Sequence, residues 1–551
     1  MRRANGTARV ILGLAWVAAI ALAQPGAQAT LAQAPAAPAP TATPAPAPPA
    51  AAGQAGPRAG GPAGPGGRGQ SPAAPIYAQQ CAGCHGTDLS GGRAPSLFDE
   101  KWLETKSDAA IAAAIKNGVP NTEMAGFTQL SDEQIWQLTQ YMRSQSGVLR
   151  TRPTFVPELD GIVVKSEKQT FRFEVIAKDL NTPWGIGFLP DGRMLVTERT
   201  VGGGQLRIIE KGVVGPPVTG TPKVHVQQDA GLFDVEVHPR YAENGWIYLS
   251  YVEPQPGYVA PPAPTPDPAA PAAVPGRGRG GPVAPSMTVV VRGRIKGNQW
   301  VDQQFIFRAP VELYTPSGIH YGSRFIFDRQ GHLFYSIGDR GQKERAQDLS
   351  SPLGKIHRVN DDGTVPRDNP FVNTPNALPS IWSYGHRNPQ GFSWDPVSGR
   401  LWESEHGPTA GDEINVIEAG HNYGWGVATK GTEPGITRNS APGMDDPVVY
   451  YIPTFAPSGI SFTTSDRYPG WKNTSLLVGG LAGQALRRLE ITGATVARQE
   501  VVFNQYGRVR DIVQGPDGFL YLAINHATGA GTSYGLVAPV PGWVVRLVPV
   551  P

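Results

Sequence analysis

Between Trp382 and Trp425 the chain concentrates polar side chains at turns. His386, Arg387, Asn388 and Gln390 fall in one turn, and Glu405, His406, Asp412 and Glu413 surround a Gly407-Pro408 turn. Gly and Pro at such turns expose backbone carbonyls, and nearby carboxylates add hard oxygens, a set that suits a calcium-type cation. A guanidinium forks onto carboxylates and an amide bonds to ring oxygens, so Arg387-Asn388 suits an anionic, carbonyl-rich ligand. A second constellation lies far upstream. Both cysteines of the chain fall in Cys81-Ala82-Gly83-Cys84-His85, the attachment pattern of a c-type haem with His85 as the proximal iron ligand. Zinc would need a second pair of thiolates, which the chain does not have.

A haem needs helices around it and a second axial ligand. The stretch Asp108 to Gly118 reads as a helix capped by Ser107 and stopped by Gly118, and Ser131-Asp-Glu-Gln134 opens another with capping-box spacing. Ile135, Leu138 and Met142 then recur on one helical face. Between the helices runs Asn121 to Phe127, a loop bearing Met124, the candidate distal ligand; Met142 sits at a core position. His and Met together leave iron no open site and favour electron transfer.

Composition divides the rest. The chain has 551 residues with 68 Gly and 55 Pro, and the excess is concentrated at residues 30–73 and 253–285, Ala/Pro/Gly-rich patches that read as disordered linker and disordered insertion. Arg2-Arg3 followed by an apolar run to Ala23 reads as a signal peptide over residues 1–29, hence a periplasmic or secreted protein. A net charge of +3 with scattered basic residues argues against nucleic acid as a partner. Residues 74–147 form the expected cytochrome domain and 148–168 an interdomain linker.

From residue 169 the pattern is strand, turn, strand, repeated six times, beginning at Gly187, Val235, Phe325, Phe392, Ile460 and Ile512. Six such hairpins at roughly regular spacing predict six blades of about four strands. The fold class expected is therefore multidomain: a small all-α cytochrome c domain followed by an all-β six-bladed β-propeller. Loops from every blade would converge on the axial funnel, where Arg508 and Arg510 stand two apart on a strand. His320 precedes a blade strand and Asp339 follows the next, the composition of an imidazole base oriented by a carboxylate.

The strings GHRNPQG, SEHGP, DEIN and NYGW, in that order within one window, resemble the signature region of the soluble pyrroloquinoline quinone (PQQ) dependent glucose and aldose sugar dehydrogenases, here fused to a domain that resembles a class I c-type cytochrome. The resemblance implies PQQ, calcium and haem c as cofactors. It implies His320 as base and Asp339 as its orienter, Arg387, Asn388, Gln390, Arg508 and Arg510 around PQQ, and the Gly407 and Pro408 carbonyls on calcium. Glu413 and Tyr423 match positions that hold a structural calcium in some members. Two departures stand out: no Lys occurs in Leu481-Ala482-Gly483-Gln484, and Asp229 stands where a Gln is often found. The function implied is oxidation of an aldose at the anomeric carbon to the lactone, with electrons passing to the chain's own haem c and on to an external acceptor such as another cytochrome or a terminal oxidase. A calcium-dependent propeller lactonase, or a binding module beside an independent haem domain, is the alternative. The sequence does not name the sugar or the oligomeric state.

Overall fold

The computed structural model describes residues 73–81, 85, 97, 108–119, 122, 124, 126–150, 159–199, 203–259, 283–408, 410–452, 454–482, 484–504, 506–525 and 541–550. The expected signal peptide, nearly all of the first Ala/Pro/Gly-rich patch, Cys84 and most of the 253–285 insertion lie outside the described residues. All described residues belong to one compact unit, Gly66–Pro551.

Among the described residues, three helices come first: α1 (Ala73–Gln80), α2 (Asp108–Asn117) and α3 (Asp132–Arg150). The capping box forms as the spacing predicts. Ser131 N–H donates to Gln134 Oε1 at 3.0 Å, and Gln134 N–H returns to Ser131 Oγ at 3.2 Å. Gly118 ends α2 at φ +77°, the left-handed geometry that glycine adopts without a Cβ clash. Tyr77, Ile111, Ile115, Ile135, Leu138 and Met142 bury a small core with Cys81 packed against it, so Met142 is a packing residue.

Among the described residues the propeller has six sheets. Five have four strands in simple sequence order, and the sixth has five. The six expected hairpins are the first two strands of each blade, for instance Pro183–Phe188 with Met194–Glu198 and Arg508–Gln514 with Leu520–Asn525. Strands such as Met194–Glu198 and Leu333–Ile337 are buried along their whole length, because each blade is covered by a neighbour on both faces. The first strands touch one another in sequence, and that of blade six returns to that of blade one, which makes them the innermost ring. Closure is by pairing the two ends of the domain: Thr170–Asn181 runs antiparallel to Pro541–Pro549, from Phe171 opposite Pro549 to Asn181 opposite Pro541.

The stretch 148–168 is less of a linker than its composition suggests. α3 continues to Arg150, Val163–Lys165 pairs with Thr170–Arg172 as an edge strand, and Leu159 is buried in the blade-six core. Apolar residues at Leu159 and Val164 decide this by packing on a sheet that local patterning could not reveal.

On the axis, Arg324 joins four blades. Its guanidinium donates to Asp234 Oδ1 (3.1 Å), Asp511 Oδ1 (2.8 Å) and the Gln390 carbonyl (2.8 Å). The two carboxylates in turn accept the Phe325 and Ile186 amides. Inner strands approach so closely that a Cβ on Gly185 would lie 2.6 Å from Asp234 Oδ1.

Candidate active site

Loops that enter the innermost strand of a blade, or leave its second strand, open at one end of the ring. His320 precedes Phe325–Phe327 and Asp339 follows Leu333–Ile337. Arg387 and Asn388 precede Pro389–Trp394, Gly407 follows Leu401–Glu405, and Arg508 opens the inner strand of blade six. The topology therefore collects these residues at one mouth.

His320 Nδ1 and Asp339 Oδ1 are 2.7 Å apart, with the His side chain 14% exposed and the carboxylate 1%. Asp339 is itself held by the Trp425 indole N–H (2.6 Å) and the Gly341 amide (2.8 Å). Burial lowers the His320 pKa, with the Arg387 charge adding to it and Asp339 opposing. Burial alone would raise Asp339, but the imidazole, Arg387 and the Gly341 amide hold it below the usual carboxylate range. The result is a neutral imidazole whose Nδ1 proton is fixed on a carboxylate, leaving Nε2 as an acceptor. His320 sits at φ +54°, a conformation that costs a non-glycine residue about 1–3 kcal/mol and persists only where surroundings enforce it.

Arg387 lies across from the pair. Its backbone carbonyl accepts the Asp339 amide (2.8 Å), its own amide donates to Glu405 Oε2 (2.6 Å), and Nη1 donates to the His406 carbonyl (3.0 Å). Asn388 Oδ1 accepts from Gly322 N–H and Gln390 Nε2, and Gln390 Oε1 accepts from Arg510 Nη1 at 3.0 Å. Arg508 and Arg510 do not simply alternate: the register slips between Val509 and Asp511, and this bulge at Arg510 re-aims its side chain. Arg508 Nη1 reaches the Leu481 carbonyl at 3.3 Å, in the loop that carries no Lys.

Sequence reasoning left His406 and Trp425 without a role and counted Asp412 among carboxylates that could offer oxygens to a cation, whereas the structure uses it as a brace. His406 is pushed well below the ordinary imidazole value by burial and then by Arg510, Arg387, His320 and Arg508, so four basic groups face one neutral ring. Its place immediately before Gly407 was the available signal. Asp412 Oδ1 accepts the Gly407 amide at 2.9 Å, and Oδ2 accepts the Phe455 and Ala456 amides, which fixes the turn. A Cβ on Gly407 would meet the Gly411 carbonyl oxygen at 2.3 Å. Asp229, the second departure noted above, donates its amide to the Gly318 carbonyl and places a negative charge near His320 and Arg510.

The donor set can be tested against an anionic, carbonyl-bearing ligand and a cation. Arg387 Nε, Arg510 Nε and His406 Nε2 are buried with no partner among the described residues, and the Gly407 and Pro408 carbonyls accept no hydrogen bond from the described residues. Buried donors without partners are costly unless a ligand completes them. The fit is good for both groups.

Behind Arg387, the buried side chains His386, Glu403 and Glu405 bring one ligand atom each within 4.8 Å of one another. Burial and the Glu405 charge hold Glu403 well above the usual carboxylate value. Glu413 stands opposite Glu405 in the sheet. The Tyr423 ring stacks on His386, and its hydroxyl is engaged by Val416 O and Glu418 N–H. In the helical domain, Cys81 and His85 are joined through His85 N–H to Cys81 O at 3.0 Å, and Val119 N–H donates to the Met124 carbonyl.

Residues 180–534 match the family model described as glucose/sorbosone dehydrogenase, and residues 70–142 match that of cytochrome c oxidase, cbb3-type, subunit III. An aldose sugar dehydrogenase of Escherichia coli (strain K12) is 36% identical over 371 residues, covering 65% of this chain and 91% of that protein. A cbb3-type cytochrome c oxidase subunit of Rhizobium meliloti is 32% identical over 75 residues, 13% of this chain and 26% of that protein. Among solved structures, the PQQ-bound form of an aldose sugar dehydrogenase from Streptomyces coelicolor superposes with a TM-score of 0.52 at 26% identity, covering 69% of this chain and 98% of that one.

Proposed function

Because the chain belongs to the glucose/sorbosone dehydrogenase family, we propose that it is a PQQ- and calcium-dependent aldose sugar dehydrogenase that delivers its electrons to a haem c on its own N-terminal domain. One observation carries the reading: an oriented, neutral His320 lies within electrostatic reach of Arg387 and His406, whose buried nitrogen donors stand without partners among the described residues.

Arg387, Arg508 and Arg510 would hold the anionic cofactor, with Asn388 and Gln390, bonded to each other, offering it further polar contacts. The Gly407 and Pro408 carbonyls hold calcium, and the Asp412 brace keeps the turn in shape. His320 accepts the proton of the anomeric hydroxyl at Nε2, and Asp339 stabilises the imidazolium that results. Arg387 offsets negative charge that develops opposite it. PQQ, when bound, supplies the quinone carbonyl that takes the hydride. Cys81, Cys84, His85 and Met124 carry the haem, from which an external acceptor such as another cytochrome or a terminal oxidase draws electrons. Glu413 and Tyr423 remain the proposed position of a structural calcium, and the N-terminal segment supports export as a periplasmic or secreted protein.

The test is reconstitution. With PQQ, calcium and a panel of aldoses, the protein should reduce an artificial dye and bleach its own oxidised haem. His320→Ala should abolish both while leaving saturable PQQ binding intact. Hydrolysis of a lactone without PQQ, and no dye reduction with it, would overturn the assignment.

A further inference from the structure

The helical domain is held against the propeller by buried polar contacts. Arg487, on the third strand of blade five (Ala485–Thr492), is 2% exposed. It reaches out of its sheet to Asp108 Oδ2 on α2 at 3.2 Å and to the Gln140 side chain on α3. Asp108 is fully buried and also accepts Gln140 Nε2 at 3.1 Å. The same guanidinium lies over Phe455 (4.9 Å), Tyr451 (5.2 Å) and Trp136 of α3 (5.9 Å). At the rim, the Tyr450 hydroxyl donates to Glu133 at 3.3 Å. A groove of about 260 Å³ follows the seam between Glu133, Trp136 and Gln137 on one side and Val448, Tyr450 and Val496 on the other.

Removing one partner of a buried Arg–carboxylate pair is strongly destabilising, because a charge is left in a dry place. Such a pair therefore defines one seat, whereas a domain on a mobile tether would show a small, polar, exchangeable contact. The seat is also close to the chemistry. Phe455, under Arg487, donates its amide to Asp412, which holds the Gly407 turn. On the other side, α3 packs in the core that includes Cys81.

We propose that Arg487 and Asp108 seat the haem-bearing domain in a fixed position on blades four and five, with Trp136, Tyr451 and Phe455 filling the gap between that domain and the Gly407 turn. The inference rests on the electron route proposed above and replaces chance encounter of a tethered domain with a set distance. Oxidation of one aldose to its lactone releases two electrons and two protons. The protons leave the site to water. A haem c held by Cys81, Cys84, His85 and Met124 would accept those electrons one at a time, the external one-electron acceptor taking each in turn.

Arg487 and Asp108 are positioning residues, so the test separates electron delivery from chemistry. In the full-length holoprotein, Asp108→Asn should slow sugar-driven haem reduction at least tenfold while reduction of a small soluble dye is unchanged. Hydrogen exchange of the amides at Val449–Tyr451, the outer strand beside α3, should quicken by a similar factor. Arg487→Met should give the same two changes from the propeller side. Parental haem reduction and exchange in Asp108→Asn would overturn the seat, and so would a fall in dye reduction equal to that of haem. Failure of the parent protein to reduce dye with any aldose would defeat the activity alone, because exchange at the seam is read without substrate.

Discussion

Replacing Asp339 by Asn keeps the shape of the side chain and removes its charge. Asp339 is 1% exposed and accepts from His320, Trp425 and Gly341 at 2.6–2.8 Å. A hydrogen bond to a charged group contributes about 1.5–3 kcal/mol, so loss of imidazolium stabilisation alone predicts a fall in kcat of roughly ten- to hundredfold. The tautomer adds to this. If the amide NH2 turns toward Nδ1, the ring proton moves to Nε2 and the base becomes a donor, a change that costs about 10⁴ in serine-protease triads. The expected loss is therefore between about 10² and 10⁴ in kcat, with unchanged PQQ affinity because Asp339 is bonded to none of the arginine side chains expected to hold it. The pH profile gives the sign. Asp339 raises the His320 pKa against burial and Arg387, so its removal lowers that pKa further. A base is lost when protonated, so the acid limb of kcat/KM, already below the ordinary imidazole value of about 6.5, should move to still lower pH. Dye-linked turnover across pH, with PQQ binding followed separately, measures both effects. Parental kcat in Asp339→Asn, or an acid limb moved upward, would refute the His320–Asp339 assignment.

Arg510→Gln should weaken PQQ binding by roughly ten- to hundredfold, since one charge-assisted contact contributes about 1.5–3 kcal/mol, and should leave the thermal midpoint nearly unchanged; titration with PQQ checks it. Arg324→Leu leaves Asp234 and Asp511 buried without their common cation and should destabilise the propeller by about 3–5 kcal/mol, read by denaturant unfolding. Gly407→Ala must displace the Gly411 carbonyl and should abolish calcium-dependent reconstitution without unfolding the protein. Glu403 has its pKa raised by burial and Glu405; stability tied to its neutral form is full below the unfolded carboxylate pKa and declines as pH rises toward the folded one. Glu403→Gln should therefore match the parent at acid pH and equal or exceed it at pH 8 in thermal melts, whereas a large loss at pH 8 would mean that the carboxylate is charged and serves a cation.

Much of this protein is local in its own chain. The six hairpins, the Ser131–Gln134 capping box, the Gly118 stop and the run from His386 to Trp425 each depend on neighbours a few residues away, so periodicity and turn chemistry specify them. Contacts that only the folded chain makes were invisible for a physical reason: their partners are far apart in sequence and no pattern links them. Arg324 finds Asp511 because two inner strands meet on the axis. Asp108 finds Arg487 because one helix face meets one blade. The bulge that turns Arg510 depends on pairing with a strand, and the fit of His406 among four basic groups depends on three blades at once. Sequence supplied the parts and their order; burial decided which of them are neutral, which are paired, and which nitrogens are left facing the mouth of the propeller.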